Sequence, residues 1–86
     1  MSNTLTLKVL TPMETLFQGP AVSVMAPGAE GYLGILVNHA PLVTTLGKGN
    51  LTYRNPEGDT KLFQVEGGFL EVSKNEVLVL ADKIVV

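Results

Sequence analysis

Any chemistry performed by this 86-residue chain must come from few parts: one histidine, His39, eight carboxylates, six Lys or Arg, and no cysteine. Nucleophilic catalysis needs a nucleophile and a base within hydrogen-bond reach, usually with a third group orienting the base. With His39 as the base, the available serines are Ser2 at the N-terminal end, Ser23 in a strand-like segment and Ser73 in a polar tip. None lies in a GxSxG-type turn. A zinc or iron site draws three or four His, Cys or carboxylate ligands together, and one histidine cannot begin such a cluster. The carboxylates (Glu14, Glu30, Glu57, Asp59, Glu66, Glu71, Glu76, Asp82) occur singly, in contexts that read as strand exteriors or turns. No catalytic residue, cofactor site or metal site is expected.

The histidine sits in GAEGYLGILVNHAPL, residues 28–42, behind three glycines at three-residue spacing. A phosphate loop would read GxxxxGK[ST], and a dinucleotide fingerprint needs GxGxxG between a strand and a helix. Neither is present. Gly28 and Gly31 are expected to supply positive φ in a tight turn, and Gly34 to allow close backbone approach in a strand. Gly67-Gly68 is expected to mark a bend or bulge. Lys83, which follows Asp82, offers a different possibility, because biotinyl and lipoyl carrier domains are β-sandwiches of this size with a modified lysine at a hairpin tip. Their lysine lies mid-chain, whereas Lys83 is close to the end. Two readings of His39 stay open: a contact residue on a rigid loop, or a turn residue satisfied by local backbone groups.

The elements that hold these residues are strands. Turn signals recur every 8–12 residues or so, the rhythm of an all-β sandwich or barrel. They fall at Gln18-Gly19-Pro20, Pro27-Gly28, Asn38 to Pro41, Gly47 to Asn50, Asn55 to Asp59, Gly67-Gly68 and Ser73 to Asn75. Between them run segments of period two. Leu5, Leu7 and Val9 share one face, as do Val22, Val24 and Ala26, and Leu51 and Tyr53. Phe63 and Val65 oppose Leu62 and Gln64, and Val77 and Val79 oppose Leu78 and Leu80. NPEGD at 55–59 and SKNE at 73–76 should close hairpins. No window free of Gly and Pro carries the 3.6-residue period, so no helix is expected. Residues 1–86 read as one all-β domain, with Ile84-Val85-Val86 belonging to its sheet.

Composition narrows the function classes. A hydrophobic content of 45% against 16% charged argues for a packed core rather than disorder. Net charge is −2 and the basic residues are scattered, unlike the clustered Lys and Arg that nucleic-acid binding requires. The N-terminus has no basic stretch before a long apolar run, and no apolar run nears the ~20 residues of a membrane-spanning helix. Any membrane association is expected to run through a partner.

With those limits set, EGxLGIL at 30–36 followed by NHAPL at 38–42 resembles the signature of the epsilon subunit of F-type ATP synthases. The resemblance extends to LKVLTP at 7–12, FQG at 17–19, GGFLEV at 67–72 and VLVLAD at 77–82, in order and spacing. It implies a ten-stranded β-sandwich, the N-terminal domain of a non-catalytic rotor subunit that helps couple proton-driven rotation to ATP synthesis. It implies contact with the gamma subunit through Thr11, His39, Ala40, Pro41 and Leu42, and with the membrane-embedded c-ring through Glu30, Gly31 and Tyr32. The implied location is peripheral, on the cytoplasmic face of a bacterial plasma membrane or the stromal face of a thylakoid membrane. Tyr32 replaces a residue often charged or polar in the family, and Val37 one often proline. Many members add a C-terminal helical hairpin that inhibits ATP hydrolysis; no part of these residues corresponds to it, so neither ATP binding nor arm-type inhibition is expected of them.

Overall fold

A computed structural model describes residues 3–85, leaving Met1, Ser2 and Val86 outside the described part. Seven strands run in chain order: β1 (Leu5–Leu10), β2 (Thr15–Ala21), β3 (Ser23–Gly28), β4 (Gly31–Leu36), β5 (Leu42–Arg54), β6 (Thr60–Ser73) and β7 (Glu76–Val85). They form one sheet in the order β2-β1-β7-β6-β5-β3-β4. All neighbours are antiparallel except β1 and β7.

The expected period-two faces are those the sheet buries, except that Val22 lies in the bend between β2 and β3 and outside the core. Leu5, Leu7 and Val9 of β1, Val24 and Ala26 of β3, Leu51 and Tyr53 of β5, Val65 of β6, and Val77 and Val79 of β7 all join a single core. No polar or charged side chain is buried in it among the described residues. Both expected polar tips close hairpins. Asn55 is bonded to Asp59 by backbone and side chain, while Lys74 (φ 51°) and Asn75 (φ 60°) form a two-residue turn with both centres left-handed. That geometry matches the right-handed twist of the flanking strands.

The strand count differs from ten, and the reason lies in three long strands that change their inward face part-way. β5 buries Leu46 but then Leu51 and Tyr53; β6 buries Val65 but then Leu70 and Val72. β7 buries Val77, Val79 and Ala81, then turns Ile84 toward the core. Each strand thus starts in one layer and ends in the other, and splitting the three at their inversions yields the ten segments expected. The folded-over sheet brings β2 onto β5, four places away in strand order: the Phe17 and Tyr53 rings stand 4.6 Å apart.

Several expected turns lie inside strands instead. Gly19-Pro20 belongs to β2, an edge strand, where a proline without an N–H breaks no ladder. Pro27-Gly28 ends β3, and Gly47 to Asn50 and Gly67-Gly68 sit at the face inversions of β5 and β6. Gly67 (φ 74°) and Gly68 (φ 123°) make a bend and no bulge, since pairing keeps one register on both sides. A Cβ at Gly68 would collide with the Leu80 carbonyl oxygen.

Candidate functional site

The two stretches expected to meet partners lie at opposite ends of β4. At one end, β3 and β4 are joined by Ala29-Glu30, a two-residue tip between paired Gly28 and Gly31. Only Gly31 has positive φ there (137°). Gly28 is required for a different reason from the one expected: a Cβ on it would lie 2.7 Å from the Gly31 carbonyl oxygen. Gly34 is not a close-approach position either, because its added Cβ would meet nothing nearer than Met25 Cε at 3.9 Å. The tip is tied back to β5 by the Ala29 N–H, which donates to the Thr45 carbonyl at 3.0 Å.

Tyr32 provides a second tie. Pairing between β3 and β5 jumps from Met25–Thr52 to Gly28–Leu46, so β5 carries extra residues opposite Ala26 and Pro27. In that irregular stretch the Asn50 N–H donates to the Tyr32 hydroxyl at 2.8 Å. The ring reaches this point across β3, over Pro27 and Gly49; a Cβ on Gly49 would collide with the hydroxyl and lie 2.9 Å from Pro27 Cβ. Tyr32 nevertheless stays 57% exposed, and Glu30 and Gly31 are exposed beside it. The tip therefore presents one carboxylate and one aromatic ring on an anchored backbone.

At the other end, β4 runs into Val37, which packs against the core, and then Asn38 (φ 68°). The His39 N–H donates to the Leu36 carbonyl at 3.1 Å. Its ring Nδ1 lies 2.6 Å from the Ala40 carbonyl oxygen. A carbonyl only accepts, so Nδ1 is the donor in this contact. Local satisfaction leaves the neighbouring side chains open: His39 is half-buried and bonded to its own loop, while Ala40 and Pro41 are exposed. No group of three or more His, Asp or Glu side chains converges among the described residues.

Thr11 does not join this loop. It caps the β1–β2 connection, its Oγ1 accepting from the N–H groups of Met13 and Glu14. The Thr6 N–H bonds Asn75 beside Asn38, and Thr11 lies five residues further along, about 16 Å at ~3.3 Å per residue. Between Thr11 and His39 spreads the outer face of one layer. It carries Val43 (68% exposed), Phe69 (54%) and Leu80 (40%), with Phe69 paired to Leu80 and Val43 diagonal to Phe69. Lys83 is exposed in the body of β7, paired with Glu66, and not at a hairpin tip.

The family described as ATP synthase, Delta/Epsilon chain, beta-sandwich domain matches residues 4–86. The chain belongs to that family.

Curated members of similar sequence are epsilon chains. The chain is 46% identical over 81 residues to the ATP synthase epsilon chain of Leptospira interrogans serovar copenhageni, covering 94% of this chain and 63% of that one. It is 46% identical over 78 residues to the epsilon chain of Moorella thermoacetica, covering 91% and 58%. The chain spans less than two thirds of the length of these relatives. In fold it is similar to a chain of the Euglena gracilis mitochondrial ATP synthase structure of OSCP, F1 and c-ring, with a TM-score of 0.92 at 23% identity, covering 99% of this chain and 54% of that one. It is also similar to a chain of the Tetrahymena thermophila central stalk and c-ring, with a TM-score of 0.76 at 17% identity, covering 93% and 64%.

Within this delta/epsilon-type domain, the residues that motif reading missed are those acting from a distance. Asn75 meets Asn38 from 37 positions away, and Asn50 meets Tyr32 from 18. A polar SKNE tip signals a turn, but nothing in it signals a partner for Asn38. The exposed outward positions Phe69 and Leu80 carried a usable signal, apolar residues on the face opposite the core alternation.

Proposed function

We propose that this chain is the rotor-side β-sandwich of an F-type ATP synthase, binding the gamma subunit and the c-ring and helping couple proton-driven rotation to ATP synthesis. The observation that carries this reading is the separation of two anchored, exposed stretches by the length of β4, about 17 Å from Gly31 to Leu36 at ~3.3 Å per residue. A single packed core lies between them. Such a body transmits displacement from one partner to the other, because close-packed interiors deform little.

In this reading Glu30, Gly31 and Tyr32 face the polar loops of the ring. The gamma subunit packs against His39, Ala40, Pro41 and Leu42 and extends over Val43, Phe69 and Leu80 toward Thr11. Apolar anchors with a polar border are what a stable interface needs. The protein performs no bond-making step itself, and its attachment to the membrane, at the cytoplasmic face in bacteria or the stromal face of thylakoids, runs through these partners. Carrier function at Lys83 lacks the hairpin tip it requires.

The test is co-elution of the chain with purified gamma subunit, and separately with detergent-solubilised c-ring. A complex in each case is the expected result. Folded components that elute apart would remove the reading.

A further inference from the structure

Building on the contact assigned above to the His39–Leu42 loop, we propose that Asn75 is a positioning residue for that loop, holding it in its binding conformation from the β6–β7 turn. Asn38 and Asn75 are both left-handed, and their side chains face each other. The Asn38 N–H donates to Asn75 Oδ1 at 2.6 Å, and Asn75 Nδ2 donates back to Asn38 Oδ1 at 3.1 Å. The Asn75 carbonyl meanwhile accepts the Thr6 N–H at 2.8 Å, which fixes the turn against the start of β1. One residue therefore joins three segments distant in sequence: β1, the β6–β7 turn, and the entrance to the loop.

The position of this clasp gives it its effect. Asn38 immediately precedes His39, whose own bonds, to Leu36 and Ala40, are all local. Those bonds shape the loop but do not tether it to the rest of the sheet. The Asn75 amide is the side chain that does so at this point. Asparagine suits both roles, since it tolerates the left-handed region and offers an acceptor and a donor together. Asn38 is exposed, so water can replace the lost bonds in the unclasped state. The loss should therefore appear in loop order and binding more than in global stability, because ordering a loop on binding opposes association.

The test uses three variants of the chain. Asn75→Gly keeps the left-handed turn and removes both side-chain bonds. Amide exchange at residues 38–40 should rise about two- to tenfold, and gamma affinity should fall by a similar factor, the scale of one or two exposed hydrogen bonds. The thermal midpoint should stay near that of the parent. Asn75→Asp restores two acceptors, one for the Asn38 N–H and one for a flipped Asn38 amide, and should recover both readouts. Asn38→Gly keeps its own N–H bond and should fall between. Exchange unchanged in Asn75→Gly overturns the proposal, as does a loss shared equally by Asn75→Asp or accompanied by a collapsed thermal midpoint. A parent chain that fails to bind gamma removes the functional reading alone, because the exchange arm still decides whether Asn75 orders the loop.

Discussion

Tyr32 shows how one residue can brace the fold and still present its ring to solvent. Its hydroxyl accepts the Asn50 N–H where β3–β5 pairing is irregular, while its ring stays in the open beside Glu30. Tyr32→Phe should lower stability by about 0.5–1.5 kcal/mol, the net value of one hydrogen bond, and speed amide exchange at Asn50. Denaturant unfolding with residue-resolved exchange would check both. Tyr53 is the opposite case, buried between Phe17 and Phe63, and burial pushes its phenol above the usual tyrosine value. The unfolded chain ionises first as pH rises past about 10, so stability should fall there, and the fall should continue until the folded phenol also ionises. Comparing alkaline unfolding of the parent with Tyr53→Phe isolates this contribution from that of the lysines. At the proposed gamma contact, His39→Ala or Pro41→Ala should weaken binding by about 1–3 kcal/mol, the scale of an interface anchor, measurable by calorimetry.

At the scale of elements, the decisive feature is the exchange of inward faces along β5, β6 and β7. A strand with strict period two can bury only one of its faces, so a change of inward face part-way along requires a break in parity. In β6 the break is the left-handed pair Gly67-Gly68, with the Leu80 carbonyl lying where a Gly68 Cβ would stand. Gly68→Ala should therefore cost about 2–4 kcal/mol, combining backbone strain with overpacking. A thermal melt read by circular dichroism would show the lowered midpoint. The same substitution at Gly34, where an added Cβ makes only an ordinary van der Waals contact with Met25 Cε, should be close to neutral and serves as the control.

For the molecule as a whole, the proposed work depends on keeping two surfaces at a fixed separation. The core supplies this, being wholly apolar among the described residues and drawn from all seven strands. Phe69 lies on the outer face and contributes nothing to that core, yet its ring is half-covered by the sheet around it. Phe69→Ser should leave unfolding within about 0.5 kcal/mol of the parent, as for surface sites, and weaken gamma association by 1 kcal/mol or more at about the scale of an interface anchor. Unaltered association would confine the gamma contact to the His39–Leu42 loop.

The all-β class, the two polar hairpins at 55–59 and 73–76, and most inward residues were legible in the sequence, because alternation and turn chemistry are local properties. It also carried the family, through a signature spread from Leu7 to Asp82. Tertiary structure alone decided that Gly19-Pro20 continues an edge strand, that Gly67-Gly68 bends a strand without ending it, and that Thr11 stands apart from His39. It also decided that Asn75 holds Asn38 and that Tyr32 reaches Asn50. Each of these depends on which strand lies beside which, and pairing order is fixed by burying the whole core at once. A turn signal tells where the backbone can bend; only the neighbouring strands decide whether it reverses there, crosses to the other layer or runs on.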